Sequence, residues 1–391
     1  RSMKILLITS GANNDKCSSW LVFSNFVKLM RTEFNADIKI ICLSPKFFNT
    51  KSELGETNYS LFLINGLLAG VFNRINKNYL WIISNFYTRI YSHKIYRYIK
   101  KNKINKLWIK ADLIPMMFLD QILKKKYIPY HISVFDDPFF YQGYLPFIDK
   151  VNLKFKKLFT DAASIDTPTS FLYNYYKNNN VINNNTIVSE SFVGVFKNSL
   201  KSPKINNKVR KIALTGSIYG IDAMIAFISA VSEILIKEKI EFHLITNTYG
   251  VHIKYLQSKY KNIFEYVKIM PFIPEHKLIN ELQNYDLLYL PMKFDEKYIF
   301  QTNSSFPSKT HNYLASQIPI IVHAPKNSSL YDFFVSNNLG IVFDNLDKYD
   351  ITSKFIKLLD KNTRLDISNK IRLFNETSVS NYHVKKLYNI I

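Results

Sequence analysis

The sequence predicts an α/β protein built from two Rossmann-like, doubly wound halves that face a common cleft. Three observations carry this. The chain has 391 residues, more than one ordinary core holds, so two domains of about 180 to 200 residues are expected. Short apolar runs alternate with helix-length segments from end to end, the pattern of βαβ units on a parallel sheet. The rhythm breaks once: an asparagine-rich stretch, 178–185, leads to a Lys, Asn, Ser and Pro segment at 197–211, after which the alternation restarts.

Taken in order, the first half opens with a strand over Lys4–Thr9, a helix over about Ser18–Glu33 and a strand over Asp37–Leu43. Further apolar runs at Lys106–Lys110 and Tyr130–Phe135 read as strands. After the break come strands at Lys211–Thr215, Glu241–Thr246, Tyr266–Met270, Asp286–Leu290 and Pro319–Val322. Between them lie helices at about 222–237, 251–259, 275–284 and 307–317. Pro307 suits a helix's first turn because its missing N–H would be unpaired there, and Pro319 stops the helix. The expected boundaries are a first domain over 1–198, a linker over 199–210, a second domain over 211–375, and a last helix over 376–391 that crosses back to the first. Ligands of such sheets sit beyond the carboxyl ends of the strands.

Composition narrows the class. Hydrophobic residues make up 47% and aromatics 15%, which excludes a disordered chain. Arg1 and Ser2 ahead of Met3 read as appended sequence, and no signal peptide follows. The longest apolar stretch, 60–72, is too short to span a bilayer. Two cysteines, Cys17 and Cys42, without a pairing pattern fit a reducing compartment, so a cytoplasmic protein is expected. The net charge is +22. It concentrates in Arg89–Lys126, where eleven cationic side chains face two acidic ones and interleave with Tyr91, Tyr96, Tyr98 and Trp108. This region suits anionic lipid headgroups at the inner face of the cytoplasmic membrane, an anionic acceptor, or a plain solvated lysine surface. Nucleic acid is disfavoured, because Lys outnumbers Arg 44 to 8 and bidentate base reading favours Arg.

Walker A, GxGxxG, HExxH, CxxC and Asp-x-Asp patterns are all absent, so no metal site is expected. Small and polar residues instead recur just after the strands of the second half: Gly216 and Ser217 in "TGSIYG", Thr246 and Asn247 in "TNTYG", Phe272 and Ile273 in "MPFIPEHKL". Glycines there let backbone N–H groups approach a ligand. The start of the 307–317 helix, flanked by Ser304, Ser305, Pro307, Ser308 and Lys309, is either an anion site at a helix N-terminus or a capped surface helix. In the first half, Asp136 and Asp137 end a strand ahead of Pro138. They are candidates for a general base on a hydroxyl or for turn chemistry.

The order "LTGSIYG", "FHLIT", "VKIMPFIPEHKLINELQNYDLLYLP" and "SFPSKTHNYLASQIPIIV" resembles the donor domain of GT-B glycosyltransferases of the family 4 type, over about Lys211–Asp344. The resemblance implies that Ser305–Lys309 hold the diphosphate of a nucleotide sugar, that Gly216 and Ser217 face the donor, that Asn312 reaches the ribose, and that Phe272 and Ile273 flank the base. It departs from the family where Ser304 and Asn312 stand in place of two glutamates. The Arg and Lys pair that many members carry after the first two strands is not evident, and Asp295, Glu296 and Lys297, in the loop before Ser304, are candidate substitutes. What it implies is a metal-independent hexosyltransferase without a cofactor, moving sugar from a nucleoside-diphosphate donor to a glycan or glycolipid of the bacterial surface: lipopolysaccharide, capsule or lipid-linked oligosaccharide. A sugar-nucleotide epimerase of the same fold and a non-catalytic partner protein are the alternatives.

Overall fold

The computed structural model describes residues 3–10, 18–44, 57–60, 77–135, 137–141, 148–190, 202–246, 251–377 and 380–391. They form two compact units, 1–192 with 381–391, and 193–380. Among the described residues, no helix is long and apolar enough to cross a membrane.

The first unit holds a parallel seven-stranded sheet: β1 (Lys4–Ser10), β2 (Asp37–Ser44), β3 (Thr57–Ser60), β4 (Lys106–Lys110), β5 (Tyr130–Ser133), β6 (Ser164–Thr167) and β7 (Ile187–Glu190), in the order β3-β2-β1-β4-β5-β6-β7. Leu7 pairs with Ile40 on one side and Trp108 on the other. Ile5 to Ile8 are fully buried, which is why β1 reads as an unbroken apolar run rather than an alternating one. β5 stops at Ser133, short of the Phe135 expected from its apolar run, because the chain turns at 135 toward Pro138.

β6 is polar and buried, and hydrogen bonds take the place of apolarity. Asp166 Oδ1 accepts from Ser133 Oγ and meets His131 Nε2 at 2.6 Å, Trp108 Nε1 donates to Ser133 Oγ at 2.8 Å, and His131 Nδ1 meets Ser164 Oγ at 2.8 Å. Ser164 Oγ in turn donates to the carbonyl of Ile390 at 2.6 Å. The Ser380–Ile390 helix is thereby fixed to the first unit, where Tyr388 also stacks on Phe34 with ring centroids 5.3 Å apart.

The second unit holds a parallel six-stranded sheet: β8 (Lys211–Thr215), β9 (Glu241–Ile245), β10 (Val267–Met270), β11 (Leu287–Pro291), β12 (Ile320–His323) and β13 (Ile341–Phe343), in the order β10-β9-β8-β11-β12-β13. The order reverses direction between β8 and β11, so this pair forms the switch point where ligands of such sheets bind. The stretch expected as a linker is described from 202. Its second half is fastened to this unit by Asp286, whose carboxylate accepts from Asn206 Nδ2 at 2.8 Å, Arg210 N at 2.7 Å and Lys211 N at 3.0 Å. Asp286 therefore precedes β11 rather than opening it.

Candidate functional site

The site is built at the carboxyl ends of β8 and β11. After Thr215 the chain enters Gly216 with φ +69°, a left-handed conformation that favours glycine. Gly216 N donates to Ile245 O at 2.8 Å, tying the turn to the end of β9. Gly220 closes the turn and precedes the Ile221–Glu238 helix. A Cβ on Gly220 would lie 2.3 Å from the carbonyl oxygen of Met292, so only glycine lets the β8 turn lie against the chain leaving β11. Asp222, in the first turn of that helix, accepts from Phe294 N at 2.7 Å and pins the same two segments together.

The chain reaches the second wall in two helical steps. The loop expected before Ser304 is instead a short 3-10 turn over Glu296–Tyr298, capped by Asp295, followed by a helix over Ile299–Ser304. Ser304 thus closes a helix of its own and is buried. Ser305, Phe306 and Pro307 connect to the helix proper, Lys309–Ser316, which begins two residues later than expected. Pro307 and Ser308 form its entry turn, where Thr310 N donates to Pro307 O at 3.0 Å and His311 N to Ser308 O at 3.3 Å. These tight bonds occupy two of the early amides, so the anion-binding capacity of this N-terminus rests more on its side chains than on backbone N–H groups. Gln317, at φ +60°, ends the helix in the left-handed region.

Lys309 joins the two walls. Its ammonium group donates to Thr215 O at 2.6 Å and Ser217 O at 2.7 Å, and lies over the Tyr219 ring at 5.0 Å from the centroid. Only 9% of the residue is exposed, and burial holds its pKa down to about 7. One turn on, Tyr313 accepts from Thr215 N at 2.9 Å and donates to Tyr289 O at 3.3 Å. Burial raises its phenol to about 12, so it stays neutral. Tyr219 and Tyr313 were not expected at the site. The four-residue spacing from Lys309 to Tyr313, which puts both on one helix face, is the signal that would have found Tyr313.

Of the residues singled out in the sequence, the structure brings Gly216, Ser217 and Lys309 into direct contact. Asn312 is half-buried on the helix that carries Lys309. Thr246 is buried at the end of β9, and Phe272 and Ile273 are half-buried beyond β10, the edge strand, two strands away from β8. Asn247 and Asp136 lie outside the described residues. Asp137 is 4% exposed. Its Oδ1 accepts from Tyr176 Oη at 2.7 Å and from Phe139 N at 3.2 Å, so it caps the short helix opened by Pro138. That geometry gives Asp137 a turn role.

No protein-family model matches the chain, and no curated protein sequence is detectably similar to it. Solved structures are similar along its full length. An α,α-trehalose-phosphate synthase (UDP-forming) from Burkholderia xenovorans, in complex with glucose-6-phosphate, superposes with TM-score 0.68 at 7% identity, over 99% of both chains. A trehalose-6-phosphate structure from E. coli, bound with UDP-2-fluoro glucose, gives 0.66 at 9% identity, over 99% of this chain and 98% of the other. A lipopolysaccharide outer core galactosyltransferase, WaaB, gives 0.60 at 11% identity over 99% of both. The chain has the GT-B fold that these structures share.

Proposed function

We propose that the protein is a glycosyltransferase whose second unit binds a nucleoside-diphosphate sugar at the β8–β11 switch point. The single observation behind this is the buried Lys309 ammonium, held by the Gly216 turn at the start of a helix, in a fold whose solved examples include one bound with UDP-2-fluoro glucose. In this reading Gly216, Ser217, Ser305, Pro307, Ser308 and Lys309 surround the diphosphate. Departure of the diphosphate develops negative charge, and a cation fixed beside it by the Gly216 turn lowers the barrier. Asn312 bonds the ribose, Phe272 and Ile273 flank the base, and Thr246 and Asn247 are further proposed donor contacts. No cofactor or metal is invoked.

The proposed acceptor is a hydroxyl of a surface glycan or glycolipid, such as lipopolysaccharide, capsule or lipid-linked oligosaccharide. Asp136 is the proposed acceptor-side carboxylate, since Asp137 is engaged by Tyr176 and Phe139. Peripheral contact with anionic lipid at the inner face of the cytoplasmic membrane is the proposed role of 89–126. What supports it is the Lys77–Lys101 helix, which has no acidic residue and exposes Arg89, Lys94, Arg97 and Lys100 alongside Phe86, 65% exposed, and Ile90, 45% exposed.

The test is thermal stabilisation by UDP, GDP, CMP and their sugars, followed by a sugar-release and transfer assay with the best ligand. One nucleotide diphosphate should stabilise the protein, by about 2.7 kcal/mol at a hundredfold excess over its dissociation constant. Absence of stabilisation by every nucleotide would remove the donor site. Stabilisation without release or transfer to any hydroxyl acceptor would instead favour the non-catalytic partner. Asp136→Asn should abolish transfer while leaving nucleotide stabilisation intact, and full transfer by that variant would remove Asp136 from the mechanism.

A further inference from the structure

At the amino-terminal edge of the first sheet, opposite the edge where ligands of such sheets bind, lies a cavity of 740 Å³, within the range of about 300–1,000 Å³ of small-molecule sites. Its walls are the last turns of the Leu113–Leu123 and Ile148–Thr160 helices, its floor includes Tyr130, and the loop entering β7 closes one side. Nothing in the donor reading uses it.

Its charges argue against an ionic ligand. Two helix carboxyl ends present their negative poles to it, which disfavours an anion. Lys124 and Lys154 both bond Asp120 Oδ2, at 3.0 and 3.2 Å, so these two cations and one anion are already engaged. The remaining charged groups are one Lys157 and one Asp161, which leaves no concentrated charge for an ion of either sign. Tyr130 donates its hydroxyl to Leu158 O at 2.8 Å, and burial with Asp161 nearby pushes its pKa up, so it stays neutral.

What is left is an array for a neutral, polyhydroxylated molecule. Lys157 and the side chain of Asp161 have no hydrogen-bond or ion-pair partner among the described residues, and supply a donor and an acceptor. Asn183 uses its Oδ1 on Asn185 N at 3.2 Å, leaving its amide N–H groups as donors, while the Asn185 side chain has no partner among the described residues. Thr186 Oγ1 is buried and has no hydrogen-bond partner. Beside these polar groups stands Tyr127, a ring left 61% exposed, which offers a flat apolar face. Mixed donors and acceptors next to an exposed aromatic face are the chemistry that recognises a sugar ring, whose edges carry hydroxyls and whose face carries C–H groups.

We propose that this cavity is a saccharide-binding site separate from the donor site. The inference does not rest on the donor reading. The test is isothermal titration of the full chain with maltotriose, lactose and cellobiose, repeated with saturating UDP. At least one sugar should bind in the millimolar range, with unchanged affinity in the presence of UDP. Tyr127→Ala and Asn185→Ala should each weaken it by about tenfold, with the melting temperature preserved, since both side chains are exposed. Binding by none of the three sugars, displacement of the sugar by UDP, or wild-type affinity in Tyr127→Ala would overturn the proposal.

Discussion

Lys309 gathers three properties that pull against one another: burial, a charge, and two carbonyl acceptors at 2.6 and 2.7 Å. Its pKa of about 7 in the folded chain lies below the ordinary 10.5, so between these values the unfolded chain binds more protons than the folded one. Stability should therefore rise as the pH is raised from 7 toward 10.5. Lys309→Met should remove that rise and cost about 1–3 kcal/mol by leaving the buried Thr215 carbonyl and the part-buried Ser217 carbonyl without this donor, as denaturant titrations at pH 7 and 9 would show. An anionic ligand favours the protonated amine, so UDP affinity should fall as the pH climbs above 7, and calorimetry across that range checks it. His323 has the same sign of shift with a different window. Burial holds it down to about 4 against 6.5, with Nε2 donating to Asn345 O and Nδ1 accepting from Tyr289 Oη. The stability that comes with this neutral ring is complete above 6.5 and should be lost on acidification toward 4, by about 3 kcal/mol. A His323→Gln variant should lack that acid-dependent loss.

At the scale of elements, the site is two turns locked face to face, and the glycine that permits this is Gly220. Gly220→Ala would drive a methyl group into Met292 O. We expect it to destabilise the second unit by about 2–4 kcal/mol and to abolish nucleotide binding, as urea unfolding and thermal shift would report. Elements were legible in the sequence where apolarity alone makes them. The runs of β1, β2, β4, β8, β9, β11 and β12 stand out because their residues are buried on both faces of a sheet. Ser164–Thr167 does not, since a buried strand of Ser, Asp and Thr is indistinguishable from a loop until His131 and Ser133 are seen to satisfy it. β3, β7 and β13 are edge strands of three or four residues, too short to register as runs. Around the site, Gly216, Ser217 and Lys309 were readable from their order after a strand. The two-residue delay of the Lys309 helix was not, because the bonds on Pro307 O and Ser308 O that set it are local geometry without a sequence code. Tyr219 escaped because a turn tyrosine gives no sign of what lies beneath it.

For the whole molecule the dominant sequence property is charge. If the Lys77–Lys101 face meets anionic lipid, the protein should sediment with phosphatidylglycerol vesicles at low salt and be released at about 0.5 M, where the screening length falls to a few ångströms. Retention on phosphatidylcholine alone would point to another cause. The first unit also draws on residues from beyond the second: the carbonyl of Ile390 is an acceptor for Ser164, at the far end of a hydrogen-bond relay that begins at Trp108. During synthesis, residues 1–192 leave the ribosome well before that carbonyl exists, and the whole of 193–380 must be translated in between. The Ile390 acceptor therefore reaches the first unit only after the second unit has been synthesised, which makes closure of that relay a late step in the folding of a unit begun first.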